Sequence, residues 1–436
     1  MSILNVKNLF FTIALFIFTA AYSSNNDIFN FKSRKGLPNF SNKVLYSDSI
    51  RIAYLGGSIT AQRGWRVSSF EYFKAKYPNK NFIQIDASMG GTGSLLGVLR
   101  LDEDILKLKP DLVFVEFAVN DAKMSLNKVT CSMEGIVRKI WKNNPYCDII
   151  FVYTTTDKII EQFGLEQIPN TIKQMEEIAN YYDIPSVYMP FDVINMLKEG
   201  SIIMKKPKSV VAQVSGEGLN KCLNHNEVRN ETVYFSQDGV HPYLDTGHVY
   251  YMNVLRDALN NILKIENRKI FHTLKKPYTE DNFEKTQKIF VNELCPQGEW
   301  YNISKESNMY QKYKNRFKEI WIGEVGATLD FTFKGRALVC YDIISEEGCR
   351  LEITVDGEKF YINRFDAFCT YDRLHFAELI SNLDSQVTHH VHIKVTDVNF
   401  DKKEILKKNN NEHYIKKYPN KYNKVHWLVN SIFIIN

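Results

Sequence analysis

Residues 51–60 read RIAYLGGSIT, a short apolar run that stops at two glycines with Ser58 directly behind them. A run of this length, rich in β-branched and aromatic residues and bounded by Gly, reads as a buried strand. Four more runs downstream have the same character: FIQID (82–86), LVFVEFA (112–118), IIFVYTT (149–155) and SVYMP (186–190). Amphipathic stretches separate them at Val67–Tyr77, Asp102–Leu108, Met133–Asn143, Ile168–Tyr182 and about Thr246–Leu263. Strands that alternate with helices require crossover connections. The pattern therefore predicts an α/β domain, a five-stranded parallel sheet between two helical layers, over about residues 45–265. Such sheets bind ligands outside the carboxyl ends of their strands, so the residues just after each strand carry the functional question.

Four of those strand ends hold residues with chemistry. After the first strand, Ser58 sits in a Gly-rich turn where a helix start favours a negative oxygen. After the second comes Asp86-Ala87-Ser88-Met89-Gly90-Gly91-Thr92-Gly93-Ser94, whose glycines let backbone N–H groups approach a ligand. The Gly91-Thr92-Gly93 stretch loosely matches a dinucleotide loop. Its third glycine, however, falls at 97 instead of 96 and the loop follows the second strand, which argues against NAD. The third strand ends in Asn120, a turn former that also offers a neutral N–H to a developing oxyanion. Before the last helix stands Asp238-Gly239-Val240-His241-Pro242. A nucleophilic Ser needs a base, usually His, and the base needs a third group to fix its tautomer. Asp three residues before His on a tight turn supplies that group.

These blocks, GGSIT, the Gly91 loop, VND (119–121) and DGVHP, resemble the four blocks of the SGNH (GDSL-type) hydrolase superfamily over about residues 50–265. The stretches DASMGGTGS, KPDLVFVEFAVND and DGVHPYLDTGH look like its secreted esterases with a C-terminal β-domain. The resemblance implies an SGNH/flavodoxin-like three-layer α/β/α fold with Ser58 as nucleophile, His241 as base and Asp238 orienting the His. It also implies an oxyanion hole of the Ser58 and Gly91 N–H groups and the Asn120 side chain, with no metal or organic cofactor. The first block departs from the commoner G-D-S-L by reading G-G-S-I. No G-x-S-x-G occurs, which excludes the α/β-hydrolase elbow.

The flanking sequence sets the context. Leu9–Ala21 is a thirteen-residue, mostly apolar run after Lys7 and before the small-x-small Ala21-Tyr22-Ser23. It is too short to span a bilayer and reads as a secretory signal over residues 1–23, placing the protein in the periplasm or outside the cell. No integral membrane segment is expected after its removal. Beyond a polar linker, Lys264–Glu284, closely spaced short strands predict a C-terminal β-sandwich, jelly-roll-like, over residues 285–436. The chain of 436 residues carries 55 Lys+Arg against 50 Asp+Glu. One net positive charge for roughly every 87 residues is too dilute for nucleic-acid coating. Asp401–Lys424, with eight Lys against two Glu and one Asp, reads as an exposed basic loop. Seven dispersed cysteines with no C-x-x-C argue against a zinc ribbon, and Cys340 and Cys349 are the pair a hairpin would join. His389-His390-x-His392 alternates along a strand, so its side chains split between two faces instead of forming a metal cluster.

For substrate, the long connection Gly200–Ser236 is polar and lacks the amphipathic apolar face of a lipid lid. That favours a carbohydrate or another polar ester, with O-acetyl the expected acyl group. Trp65 and Arg100 are candidate substrate contacts, Trp65 by stacking on a sugar ring. The competing readings are a lipid esterase or lysophospholipase, an O-acetyltransferase, and a glycan-binding module on the same fold.

Overall fold

The computed structural model describes residues 29–206 and 233–436. The expected signal segment and most of the Gly200–Ser236 connection, with Cys222, lie outside them. The first sheet contains β1 (Phe31–Lys32), β2 (Ser49–Gly56), β3 (Asn81–Asp86), β4 (Leu112–Glu116), β5 (Asp148–Tyr153) and β6 (Ser186–Tyr188), in the order β1-β6-β5-β4-β2-β3. The five predicted strands are parallel to one another; β1 adds a sixth, antiparallel to β6. Two residues are too short to leave a periodic signal, which is why the expectation stopped at five.

Within the parallel set the order places the first strand between the second and third. That is the flavodoxin-like arrangement, and it opens a crevice where the winding direction reverses, at the ends of β2 and β4. Both faces of the sheet are covered. Leu112, Phe114, Ile150 and Val152 pack with Phe40, Trp65, Phe73 and Leu259 on one side; Val113, Val115 and Ile149 pack with Ile136, Ile140, Met175 and Ile178 on the other. β4 and β5 are buried at every residue, as strands covered on both faces must be.

A parallel pair, β7 (Ile202–Lys205) and β8 (Val233–Ser236), stands apart from this sheet. Helix Gly247–Ile262 then closes the α/β part. Residues 264–284 do not hang free. The His272 ring stacks on Trp141 at 4.6 Å and its Nε2 lies 2.7 Å from Asp148 Oδ1. The expected linker is therefore a strap along the α/β domain.

The C-terminal part is a sandwich. One sheet runs β10 (Trp300–Asn302), β11 (Trp321–Glu324), β18 (His426–Ile435), β13 (Ala337–Ile344), β16 (Arg373–Ile380), with β9 (Thr286–Phe290) also pairing β18. The facing sheet runs β12 (Thr328–Lys334), β17 (Thr388–Thr396), β14 (Arg350–Val355), β15 (Glu358–Asn363). Leu338, Val429, Ile432 and Ile434 meet Leu329, Leu351, Ile353 and Ile393 between them. The opposite face of the same β13 and β18, through Val339, Tyr341, Ile343, Leu428 and Phe433, joins the core of the α/β domain. Covered by a sheet on one side and by the neighbouring domain on the other, β13 and β18 are buried throughout.

Three expectations change here. Cys340 and Cys349 are both free and buried. Cys340 lies within β13 and Cys349 precedes β14 of the facing sheet, so no hairpin joins them. Asp401–Lys424 is not an open loop. It forms short helices at Lys402–Lys407, His413–Lys417 and Pro419–Tyr422, and the Lys402 ammonium is buried, donating to the carbonyls of Glu346, Tyr422 and Lys424. The segment Asp102–Leu108 is not one helix: the short helix Leu101–Asp104 ends inside it at Ile105, the 3-10 turn Leu106–Leu108 follows, and left-handed Lys109 comes next. The three histidines do divide. His389 is buried against Asp356, whereas His390 and His392 share Asp330 on the outer face. Among the described residues no group of His, Cys, Asp and Glu is set to hold a metal ion.

Candidate active site

At the end of β2 the chain turns at Gly57 and starts a one-turn helix, Ser58–Ala61. Beneath this turn lies Glu116, the last residue of β4 and fully buried. Its carboxyl accepts from Thr60 Oγ1 at 2.8 Å and Thr154 Oγ1 at 2.7 Å, tying together the ends of three neighbouring strands. Burial pushes its pKa up, against the pull of the two hydroxyls and the Gly57 N–H. A charged residue inside the run LVFVEFA was the visible sign of such a role, because a buried carboxyl must find partners.

The DGVHP turn reaches over from the end of β8. Gly239 takes φ +87°, and a Cβ there would fall 2.1 Å from an Asp157 carboxylate oxygen, so only glycine fits. The Gly239 N–H donates to Ser236 Oγ at 2.8 Å, and the Asp157 N–H donates to the Gly239 carbonyl at 2.8 Å. So anchored, the turn presents His241 to Ser58. Ser58 Oγ lies 2.8 Å from His241 Nε2, and His241 Nδ1 lies 2.7 Å from Asp238 Oδ2. The other carboxylate oxygen, Oδ1, accepts the backbone N–H of Val240 at 2.9 Å and of His241 at 2.8 Å. Burial acts to raise the Asp238 pKa. The His241 ring and these two N–H groups outweigh it and hold the carboxyl below its usual range. Asp238 is thus an acceptor, which places a proton on His241 Nδ1 and leaves Nε2 free to accept from Ser58.

The remaining candidates converge on the same place. The Asn120 side chain lies against Gly57, where an added Cβ would meet its Oδ1 at 2.0 Å. That contact places the Asn120 side chain beside the turn that carries Ser58. The next residue, Asp121, accepts the Ser94 N–H at 3.0 Å and so fixes the start of the helix behind the glycine loop; burial pushes its carboxyl up to about 6. Gly90 faces Ser58, with an added Cβ only 3.6 Å from Ser58 Cβ, and Gly91 takes φ +73°. Among the described residues neither glycine N–H has a protein acceptor, which leaves both free for a ligand oxygen.

Two candidates fall away. Trp65 is fully buried and packs its ring against Tyr54 and Phe114, so it belongs to the core and no sugar reaches it. Arg100 is also buried, and its guanidinium pairs with Asp104 at 2.6 Å instead of lining the site. A residue missed in the sequence stands nearby. His248 accepts the Trp65 N–H at Nδ1, 3.2 Å away, and so donates from Nε2 to Gln62 at 3.1 Å. Burial lowers its pKa to about 3, so it stays neutral and braces the segment that follows Ser58.

The chain resembles known proteins in one domain and in its overall fold. Residues 54–195 match the GDSL-like Lipase/Acylhydrolase family, so the α/β part carries a domain of that kind. No curated protein matches the chain. Among solved structures, a two-domain esterase active on acetylated mannans is 18% identical, with 92% of this chain and 98% of that chain covered at a TM-score of 0.64. The same kind of esterase co-crystallised with mannopentaose gives 18% identity, 93% and 98% coverage and a TM-score of 0.62. At this identity the likeness is one of fold, and it extends over both domains.

Proposed function

We propose that this GDSL-like acylhydrolase domain, a carboxylic ester hydrolase, works as an exported serine esterase that removes O-acetyl groups from a carbohydrate. The observation that carries the reading is the relay Ser58 Oγ to His241 Nε2, 2.8 Å, and His241 Nδ1 to Asp238 Oδ2, 2.7 Å. In this reading His241 takes the Ser58 proton as the oxygen attacks the ester carbonyl, and Asp238 stabilises the imidazolium that forms. The oxyanion is received by the Ser58 and Gly91 N–H groups and the Asn120 side chain. His241 then protonates the leaving sugar hydroxyl, and water repeats the sequence on the acetyl-enzyme. Chemistry of this kind draws on these side chains and backbone N–H groups. The polar Gly200–Ser236 sequence supports a polar ester, and the fold-level neighbour's action on acetylated mannans supports a glycan. The apolar run Leu9–Ala21 supports export.

Acetate release from acetylated mannan and xylan, set beside hydrolysis of long-chain acyl esters and lysophospholipid, tests the substrate. Acetate release from the glycans with little long-chain activity is expected; preference for long acyl chains overturns the assignment. A second expectation concerns Asn120. Replacing it with Ala removes the side-chain donor and should lower kcat on 4-nitrophenyl acetate by about 10²-fold, the usual effect of losing one oxyanion donor. An Asn120→Ala enzyme with wild-type kcat would remove Asn120 from the mechanism.

A further inference from the structure

The glycine loop at Ser58 is held from two sides, and one side belongs to the other domain. From the sheet, the Ala87 N–H donates to the Tyr54 carbonyl at 3.0 Å and the Met89 N–H to the Gly56 carbonyl at 2.9 Å. From the sandwich domain, Arg316 reaches across: Nη2 donates to the Ser88 carbonyl at 3.0 Å and Nη1 pairs with Asp104 at 2.8 Å. The Ser88–Met89 peptide is therefore fixed at both ends, its N–H by the strand that carries the nucleophile and its C=O by Arg316. The next two residues are Gly90, which faces Ser58, and Gly91 with its left-handed φ.

Arg316 is itself well set for this. It follows helix Asn308–Tyr313, and both its N–H and that of Phe317 donate to the Tyr313 carbonyl at 2.8 Å. Phe317 is fully buried with its ring edge-on to Tyr341 at 4.6 Å, and Tyr341 Oη lies 3.7 Å from Met89 Sδ. Asp104 is shared with buried Arg100, so the carboxylate that steadies Arg316 is held in turn from within the α/β domain. A charge-assisted fork of this kind fixes direction as well as distance. A glycine pair has no side chain with which to hold its own orientation.

We propose that Arg316 is a positioning residue for the Gly90–Gly91 N–H groups, so that the sandwich domain completes the oxyanion site of its neighbour. The proposal rests on the serine-esterase reading above. Arg316 acts on the transition state through the loop and leaves ground-state substrate binding alone.

The test uses the full chain with Arg316→Met and Arg316→Lys, 4-nitrophenyl acetate kinetics, thermal unfolding and end-point labelling by a fluorophosphonate probe. For Arg316→Met, kcat should fall about 10- to 100-fold, as expected for a misplaced donor, with KM within about twofold of wild type. Labelling should still reach completion and the unfolding midpoint should hold. Arg316→Lys keeps one donor and a charge, and should restore most of kcat. Unchanged kcat in Arg316→Met, a rise in KM alone, or a Lys variant as slow as the Met variant would each overturn the proposal. Should Arg316→Met fold poorly, the Lys variant decides: its kcat must fall below wild type at unchanged KM. Failure of wild type to label would instead remove the serine-esterase reading, a result separate from any behaviour of Arg316.

Discussion

Ser58→Ala should abolish both ester hydrolysis and fluorophosphonate labelling, lowering kcat by about 10⁶-fold, the scale seen when a serine nucleophile is removed. The substitution deletes the oxygen that lies 2.8 Å from His241 Nε2 and leaves the turn intact. The Ser58 carbonyl still accepts the Gln62 N–H, and the Glu116 bonds to Thr60 and Thr154 are untouched. The variant should therefore fold as the wild type does. What remains should be the modest acceleration that an oxyanion site and binding provide without a nucleophile. Full labelling of the Ala variant would mean that another residue carries the reaction, and the reading of this site would be lost.

Much of this arrangement was legible because it depends on local pattern. RIAYLG, LVFVEFA and IIFVYTT are continuous apolar runs because their strands are covered on both faces, and that same burial places Ser58 and Asn120 at adjacent strand ends. Helix boundaries were less legible. Asp102–Leu108 has a helical composition, but Ile105 at φ −129°, ψ −58° breaks the segment between a short helix and a 3-10 turn. β16 carries little local strand signal, because RLHFAELI mixes good helix formers with apolar residues; its place beside β13 comes from tertiary pairing, which overrides local propensity.

Trp65 and Arg100 stand near Ser58 and the glycine loop in sequence, but nearness in sequence carries no information on the direction in which a helix faces. Trp65 opens the helix Trp65–Lys76 and points into the sheet, and Arg100 turns toward Asp104. Arg316 was invisible for the opposite reason. It lies more than 200 residues from Ser88 and in another domain, so only the packing of β13 and β18 on the α/β core brings the two together. That packing gives the second domain a physical connection to the surroundings of Ser58 that no motif encodes.

Asp238→Asn should lower kcat by about 10⁴-fold while leaving the fold in place, the scale of loss expected when the base is held in the wrong tautomer. The reason lies in how the turn fixes the carboxylate. Oδ1 receives two backbone N–H groups, from Val240 and His241, so an amide at 238 must place its carbonyl oxygen there. Its NH₂ group then faces His241 Nδ1 and donates to it. A ring that accepts at Nδ1 carries its proton on Nε2, and this proton points at Ser58 Oγ. The histidine becomes a donor to the nucleophile it should deprotonate. The stability effect has a definite sign. The carboxyl is held below its ordinary range, so its stabilising contribution is present above the unfolded-state value and fades as pH falls through the folded-state value. At neutral pH the Asn variant gives up that contribution, and because the side chain is half exposed the loss should be small. Kinetics on 4-nitrophenyl acetate from pH 6 to 9, with unfolding followed in parallel, separate the two effects. A variant within about tenfold of wild-type kcat would show that Asp238 does not set the tautomer of His241.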